Sequence, residues 1–211
     1  MSTFQTPAPI AITVDVLSGD VTVIASDRTD TVVEVRPADP AKKGDVRAAE
    51  QTQVDFTAGT LTVKTPKQWR TYTPFGGNPS ITVTIEVPTG SRLKASAGVG
   101  HLLGAGELGE CDLAVAAGDI TVERPGDSVT ATVAKGDIRI GEAARGVLRL
   151  ETSFGELEVG IHPGSAVRLE TNAVQGSVLN AMSPVQQLEK AETVQVFARN
   201  SFGNITIRHA A

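Results

Sequence analysis

The chain has 211 residues, 40% hydrophobic, and a formal net charge of -5 from 24 acidic and 19 basic side chains. That balance disfavours a surface built to track nucleic-acid phosphates, which needs a dominant positive field. Aromatic residues make up only 4% and there is a single cysteine, Cys111. The core must therefore be built from Val, Ile, Leu, Ala and Thr, and neither an intrachain disulfide nor a cysteine metal cluster can form.

The N-terminal stretch MSTFQTPAPIAITVDV lacks a basic start followed by an apolar segment. No run approaches the ~20 apolar residues of a membrane helix. These features lead to the expectation of a cytoplasmic chain with no membrane insertion. Residues Ile12–Ile24 alternate apolar and polar side chains around Gly19, and TVVEVRP at Thr31–Pro37 adds a strand. The segment 37–50 interrupts the pattern, with Asp39 placed to cap a short helix starting at Pro40. Alternation resumes at Gln53–Phe56 and Gly59–Val63, with Val54, Phe56, Leu61 and Val63 inward. A turn-rich loop over residues 65–80 follows, and Ile81–Pro88 is the clearest long strand.

From residue 91 onward a period emerges. Gly100, Gly118, Gly136, Gly155, Gly176 and Gly203 are separated by 18, 18, 19, 21 and 27 residues, and Gly19 heads an earlier copy. Two and four residues after the glycine come Val21/Val23, Ile120/Val122, Ile138/Ile140, Leu157/Val159 and Ile205/Ile207. Gly104 and Asn180 interrupt this pairing in two degenerate copies. Three, five and seven residues before each glycine the inward column repeats, as in Val129/Ala131/Val133. Alternation on both sides of a glycine marks two short strands with one buried face each. Pro125-Gly126 supplies a second turn per unit.

Two strands and two turns per unit suit a hairpin stack or a β-solenoid. Near-constant unit length and the vertical registry of like side chains favour the solenoid over a sandwich or meander. The expected architecture is all-β: one domain over residues 1–211, with an irregular N-terminal capping part (1–90) and regular coils (91–208). Ser183–Asn200 reads as a lateral insertion with a short helical turn over Val185–Lys190.

The residue after each glycine is polar: Asp20, Asp119, Asp137, Glu156 and Asn204, with His101 and Ser177 in the other copies. At such a corner the glycine supplies an unusual backbone conformation and the polar side chain caps a free amide. The alternative is a column of carboxylates roughly 5 Å apart holding calcium. No GGxGxDxux nonapeptide supports it. GVGHLLGAG at Gly98–Gly106 lacks the spacing of a phosphate loop. Cys111 shares an inward column with Val129 and Leu148, so a buried, inert thiol is expected. His101, His162 and His209 lack metal-ligand spacing, and no Ser-His-Asp or metalloprotease pattern is present.

The recognition candidates are Lys67, Trp69, Arg70, Tyr72 and Phe75, which gather the sole Trp and Tyr in the irregular loop. Aromatic side chains with arginine are common interface anchors, and the same rings could instead cover the end of the stack.

The copies SGDVTV, AGDITV, KGDIRI, FGELEV and FGNITI, together with DPAKKGDVRAAEQTQVDF, resemble the bacterial putative-adhesin β-strand-repeat proteins, in the style of actinobacterial members. The resemblance covers nearly the whole chain. It implies a β-solenoid-like fold and no established catalytic residues, and no cofactor is expected. The expected function is a non-catalytic scaffold that binds an unknown protein or glycan, or associates with itself. A polysaccharide-active enzyme on a solenoid face and a calcium-binding repeat module are the alternatives.

Overall fold

The computed structural model describes residues 1–66, 79–182 and 192–210. The N-terminal elements are β1 (Ser2–Gln5), β2 (Ala11–Ser26), β3 (Asp30–Pro37), α1 (Lys43–Gln51), β4 (Gln53–Thr57), β5 (Thr60–Lys64) and β6 (Ile81–Pro88). Then come β7 (Arg92–Val99), β8 (Leu102–Leu108), β9 (Cys111–Ala117), β10 (Ile120–Pro125), β11 (Val129–Lys135) and β12 (Ile138–Ala143). The last are β13 (Gly146–Phe154), β14 (Leu157–Ile161), β15 (Ala166–Gln175), β16 (Val178–Asn180), β17 (Thr193–Phe202) and β18 (Ile205–His209).

The strands form two largely parallel sheets wound as a solenoid. Strands before each corner glycine build one sheet and strands after it build the other. The first sheet runs β4-β5-β2-β7-β9-β11-β13-β17-β15. The second runs β1-β3-β6-β2-β8-β10-β12-β14-β18-β16. The long strand β2 bends at Gly19 and contributes to both. Equivalent positions lie in exact vertical register, as in Cys111, Val129 and Leu148, or Ile120, Ile138 and Leu157. These columns meet between the sheets and form one buried cluster. β-Branched and leucine side chains suit such thin, half-buried pleated layers.

The coils do not stack in chain order. Coil β17–β18 is inserted between β13–β14 and β15–β16. Likewise β2 lies between β5–β6 and β7–β8. The coil carrying Gly176, sixth in a sequential reading, is thus the outermost described layer. Its inward column shows this: Val178 is 45% exposed, whereas Ile205, its neighbour in register, is fully buried.

This order explains both degenerate copies. Asn180 sits in the outermost layer and is exposed. Gly104 faces inward, and a Cβ there would stand 2.6 Å from Leu108 Cδ1, so the Leu108 side chain occupies the space a branched residue fills elsewhere. A register shift between Val122 and Arg124 accommodates this local rearrangement.

At the other end, β3 and β4 run antiparallel to their neighbours β6 and β5. Phe4 on β1 meets Phe56 on β4, ring centroids 5.2 Å apart, so the outer strands of the two sheets touch. The helix starts at Lys43, later than the expected Pro40. Asp39 instead forms a turn, accepting from the Ala41 amide at 2.9 Å, and Lys42 is the helix cap residue. The stronger anchor is buried Asp45, whose carboxylate accepts from the Asp39 amide at 3.2 Å and the Ser80 amide at 3.0 Å. It ties the helix to the end of β3 and the approach to β6. Asp45→Ala leaves two amides without their acceptor and is expected to cost about 2 kcal/mol, read from urea unfolding.

Candidate functional site

The Gly-acid corner is a ladder of backbone contacts. Gly19, Gly100, Gly118, Gly136, Gly155, Gly176 and Gly203 all have φ between +130° and +153°. Each also lies against the carbonyl of the coil beside it. A Cβ on Gly118 would stand 1.9 Å from the Gly100 oxygen, and one on Gly155 would stand 2.0 Å from the Gly136 oxygen. Side-chain-free backbone is needed twice over, for conformation and for stacking distance.

The polar residue after the glycine serves the same ladder. Asp119 Oδ1 accepts from the Asp137 amide at 2.8 Å, and Asp137 Oδ1 accepts from the Glu156 amide at 2.9 Å. Asp20 Oδ1 accepts from the His101 amide at 3.0 Å, and Asn204 Oδ1 accepts from the Ser177 amide at 3.0 Å. In these four coils a side-chain oxygen therefore caps the amide of a neighbouring coil, whereas Glu156 accepts from the Asn204 side chain at 3.3 Å. The second oxygen of Asp137 faces Arg139 at 3.1 Å. His101 stands between two carboxylates, Nδ1 2.9 Å from Asp20 and Nε2 3.6 Å from Asp119. Among the described residues no group of three or more His, Cys, Asp or Glu is arranged to hold a metal ion. Calcium against chelator is expected to leave the melting temperature unchanged; a rise with calcium would restore the carboxylate-column reading.

Two buried polar side chains in the inward column were not singled out from sequence. Thr152 Oγ1 donates to the Gly136 carbonyl at 2.9 Å, and Asn200 Nδ2 donates to the Gly155 carbonyl at 2.7 Å. Their signal was a polar residue three before the glycine, where Val115 and Val133 stand in other coils. Cys111 is buried and in no disulfide, its thiol donating to the Gly109 carbonyl at 3.6 Å, and burial pushes that thiol up to about 12. At neutral pH it is a protonated apolar filler with almost no nucleophilic thiolate.

The recognition residues expected from sequence, Lys67, Trp69, Arg70, Tyr72 and Phe75, lie outside the described residues, as does the helical turn expected over Val185–Lys190. Exposed apolar groups occur instead beside the corner. Phe154 and Phe202 are 53% and 42% exposed and stack at 4.7 Å with an interplanar angle of 2°. Because the rings stack along the coil direction, their edges face solvent. The outer face of the first sheet carries two adjoining depressions of about 360 Å³ each. Thr132 and Glu151 line both. One is otherwise walled by small side chains, including Ser96, Ala114, Ala116 and Ser153.

No protein-family model matches the chain, and no curated protein is similar to it in sequence. Solved structures do share its architecture. A putative cell adhesion protein from Clostridium sporogenes ATCC 15579 aligns over 99% of this chain and 98% of that one, at 12% identity and a TM-score of 0.55. A putative adhesin from Bacteroides fragilis NCTC 9343 is 14% identical over 98% of this chain and 95% of that one, with a TM-score of 0.39. A putative adhesin from Parabacteroides merdae ATCC 43184 is 14% identical over 98% and 94%, with a TM-score of 0.35. The overlap with the Clostridium structure is close enough to show a common fold.

The expectation of a cytoplasmic chain is corrected: the solved structure that shares this fold is named a putative cell adhesion protein, and adhesins are typically surface-exposed or secreted. Charge and the lack of an apolar segment describe how a chain meets water, not its address. No described helix is long and apolar enough to cross a membrane. The resemblance read from the Gly-acid repeat is matched at the level of fold: this is an all-β solenoid built like a bacterial protein named for cell adhesion.

Proposed function

We propose that the chain is a non-catalytic, adhesin-like scaffold that presents a rigid sheet face to a glycan or protein partner. The observation that carries this reading is where the repeating polar residues spend their hydrogen bonds. Asp20, Asp119, Asp137 and Asn204 cap backbone amides within the stack, leaving the outward sheet faces as the surface free for a partner.

Several acids on the lateral faces are also engaged. Glu158 pairs with Arg208 at 2.7 Å, Asp112 with Lys94 at 2.7 Å, and Glu34 with Arg36 at 2.7 Å. Glycoside hydrolysis ordinarily needs two carboxyl groups flanking one bond. The pairing of these acids favours binding over turnover.

The test is an immobilised glycan panel run beside a reducing-sugar assay on the same polysaccharides. Binding without release of reducing ends is the expected result; release of sugar ends the non-catalytic reading. The aromatic loop is a second proposed contact, on its composition. Trp69→Ala with Tyr72→Ala is expected to weaken binding at unchanged melting temperature. A lowered melting temperature would assign these rings to the fold instead.

A further inference from the structure

We propose that the outer face of the first sheet, over β11, β13 and β17, is a subsite for a carboxylate-bearing polysaccharide, gripped by Arg149 and Arg199. The inference rests on the scaffold reading above and names its ligand class. It begins from charge that the protein leaves unneutralised. Arg149 lies over the Phe197 ring, its guanidinium carbon 5.0 Å from the centroid, and Arg199 is its neighbour two positions along β17. Among the described residues Arg149 has no hydrogen bond or ion pair, and Arg199 has no partner of any kind. Arg199 does not pair even with Glu151, which is its partner in register.

A cation over an aromatic face is held in place without loss of its charge. Phe197 is therefore a positioning residue that presents an available guanidinium on a protein of net charge -5. Both arginines line one depression of about 360 Å³ together with the hydroxyl-bearing Thr130 and Thr132. The single carboxylate there is Glu151, so two guanidinium groups face one acid. The planar fork of arginine matches a carboxylate through two parallel hydrogen bonds.

The class of ligand follows from what this face withholds. Strands β9, β11, β13 and β17 each have a hydrogen-bonded neighbour on both sides. Their backbone groups are consumed in the ladders, so a peptide laid on this face would find no strand to extend. A ligand meets side chains only. These are guanidinium groups, threonine and serine hydroxyls and one carboxylate, which suit sugar hydroxyls and a ring carboxylate.

The adjoining depression continues the trough, from Glu151 and Thr132 toward Ser96 on β7. From β7 to β17 the face spans four strand spacings, roughly 19 Å. That is room for several sugar units.

The test is calorimetric titration of the whole chain with polygalacturonate, with neutral galactan and polyglutamate as controls, at low and raised salt. Polygalacturonate is expected to bind, to weaken with salt, and to lose about tenfold or more in affinity in Arg149→Gln with Arg199→Gln. Both side chains point outward, so the melting temperature of that variant should match the parent. Phe197→Tyr should retain affinity, whereas Phe197→Leu should lose part of it at equal stability. Three results overturn the inference: equal binding by the double arginine variant, polyglutamate bound as tightly as the polyuronate, or no binding of the polyuronate. In the last case, binding of the neutral glycan or another member of the panel leaves the scaffold reading standing. Silence across the whole panel removes the glycan arm of that reading, and cleavage of it removes the non-catalytic reading itself.

Discussion

Gly136→Ala is expected to destabilise the fold by about 4 kcal/mol, the sum of backbone strain and a forced overlap within the stack. At φ +141° the position is one that L side chains rarely adopt. The added Cβ would also stand 2.0 Å from the Gly118 oxygen, 2.6 Å from its carbonyl carbon and 2.9 Å from Asp119 Oδ1. Two of those atoms are backbone, held by the ladder, so no side-chain rotation relieves the contact. The coil must tilt or separate, and the cap from Asp119 to the Asp137 amide goes with it. Gly59→Ala is the matched control. Its φ is +75° but nothing stands within 4 Å of the added Cβ, so the conformational term acts alone, at about 1 kcal/mol. Urea unfolding of the two variants compares a glycine with overlap against one without, although φ +141° is itself the less accessible of the two for an L residue. Equal losses would mean that the corner glycines are conformational only.

The second large effect concerns the order of the coils. Ile205→Asp is expected to cost about 4 kcal/mol or more, enough to abolish cooperative unfolding, because it places an unpaired carboxylate in the closed core. Val178→Asp changes the adjacent position of the same column and is expected to cost less than about 1 kcal/mol. Ile205 is fully buried between Leu157 and Val178, whereas Val178 is 45% exposed in the outermost described layer. A solenoid wound in chain order predicts the opposite ranking, since the last coil would lie at the end. Thermal unfolding of the two variants decides the matter.

Much of this architecture could be read from residues. The pairs flanking each glycine placed the inward columns, and Ile120, Ile138, Leu157 and Ile205 all prove buried. Vertical registry was visible because parallel coils set like residues beside like, as Cys111 against Val129 and Leu148. Coil order was not visible. A period records how long each turn is, not which turn it lies against, and parallel pairing is satisfied by either neighbour. The spacing of 27 residues between Gly176 and Gly203 reads as a lateral insertion, and the strands that follow it, β17 and β18, lie between β13–β14 and β15–β16.

The helix starts later than the sequence suggests because Asp39 resembles a cap, while the buried anchor Asp45 lies within the helix. Its partners include Ser80, 35 residues away, a contact that no local pattern announces. Arg149, Phe197 and Arg199 carry no local signal for a related reason. They come together only because β13 and β17 are neighbours, 48 residues apart in the pairs Arg149 and Phe197 or Glu151 and Arg199.

The most direct measurement is cross-linking of outward-facing cysteine pairs on the second sheet, in a Cys111→Val background. Glu158 and Thr206 are partners in register, and Thr206 is also the partner of Leu179. Glu158 and Leu179 are therefore two strands apart, roughly 9.6 Å, beyond the span of a disulfide. Glu158→Cys with Thr206→Cys, and Thr206→Cys with Leu179→Cys, should oxidise readily. Glu158→Cys with Leu179→Cys should remain reduced. Ready oxidation of that third pair, with failure of the first, would show coils stacked in chain order and contradict the solenoid described above.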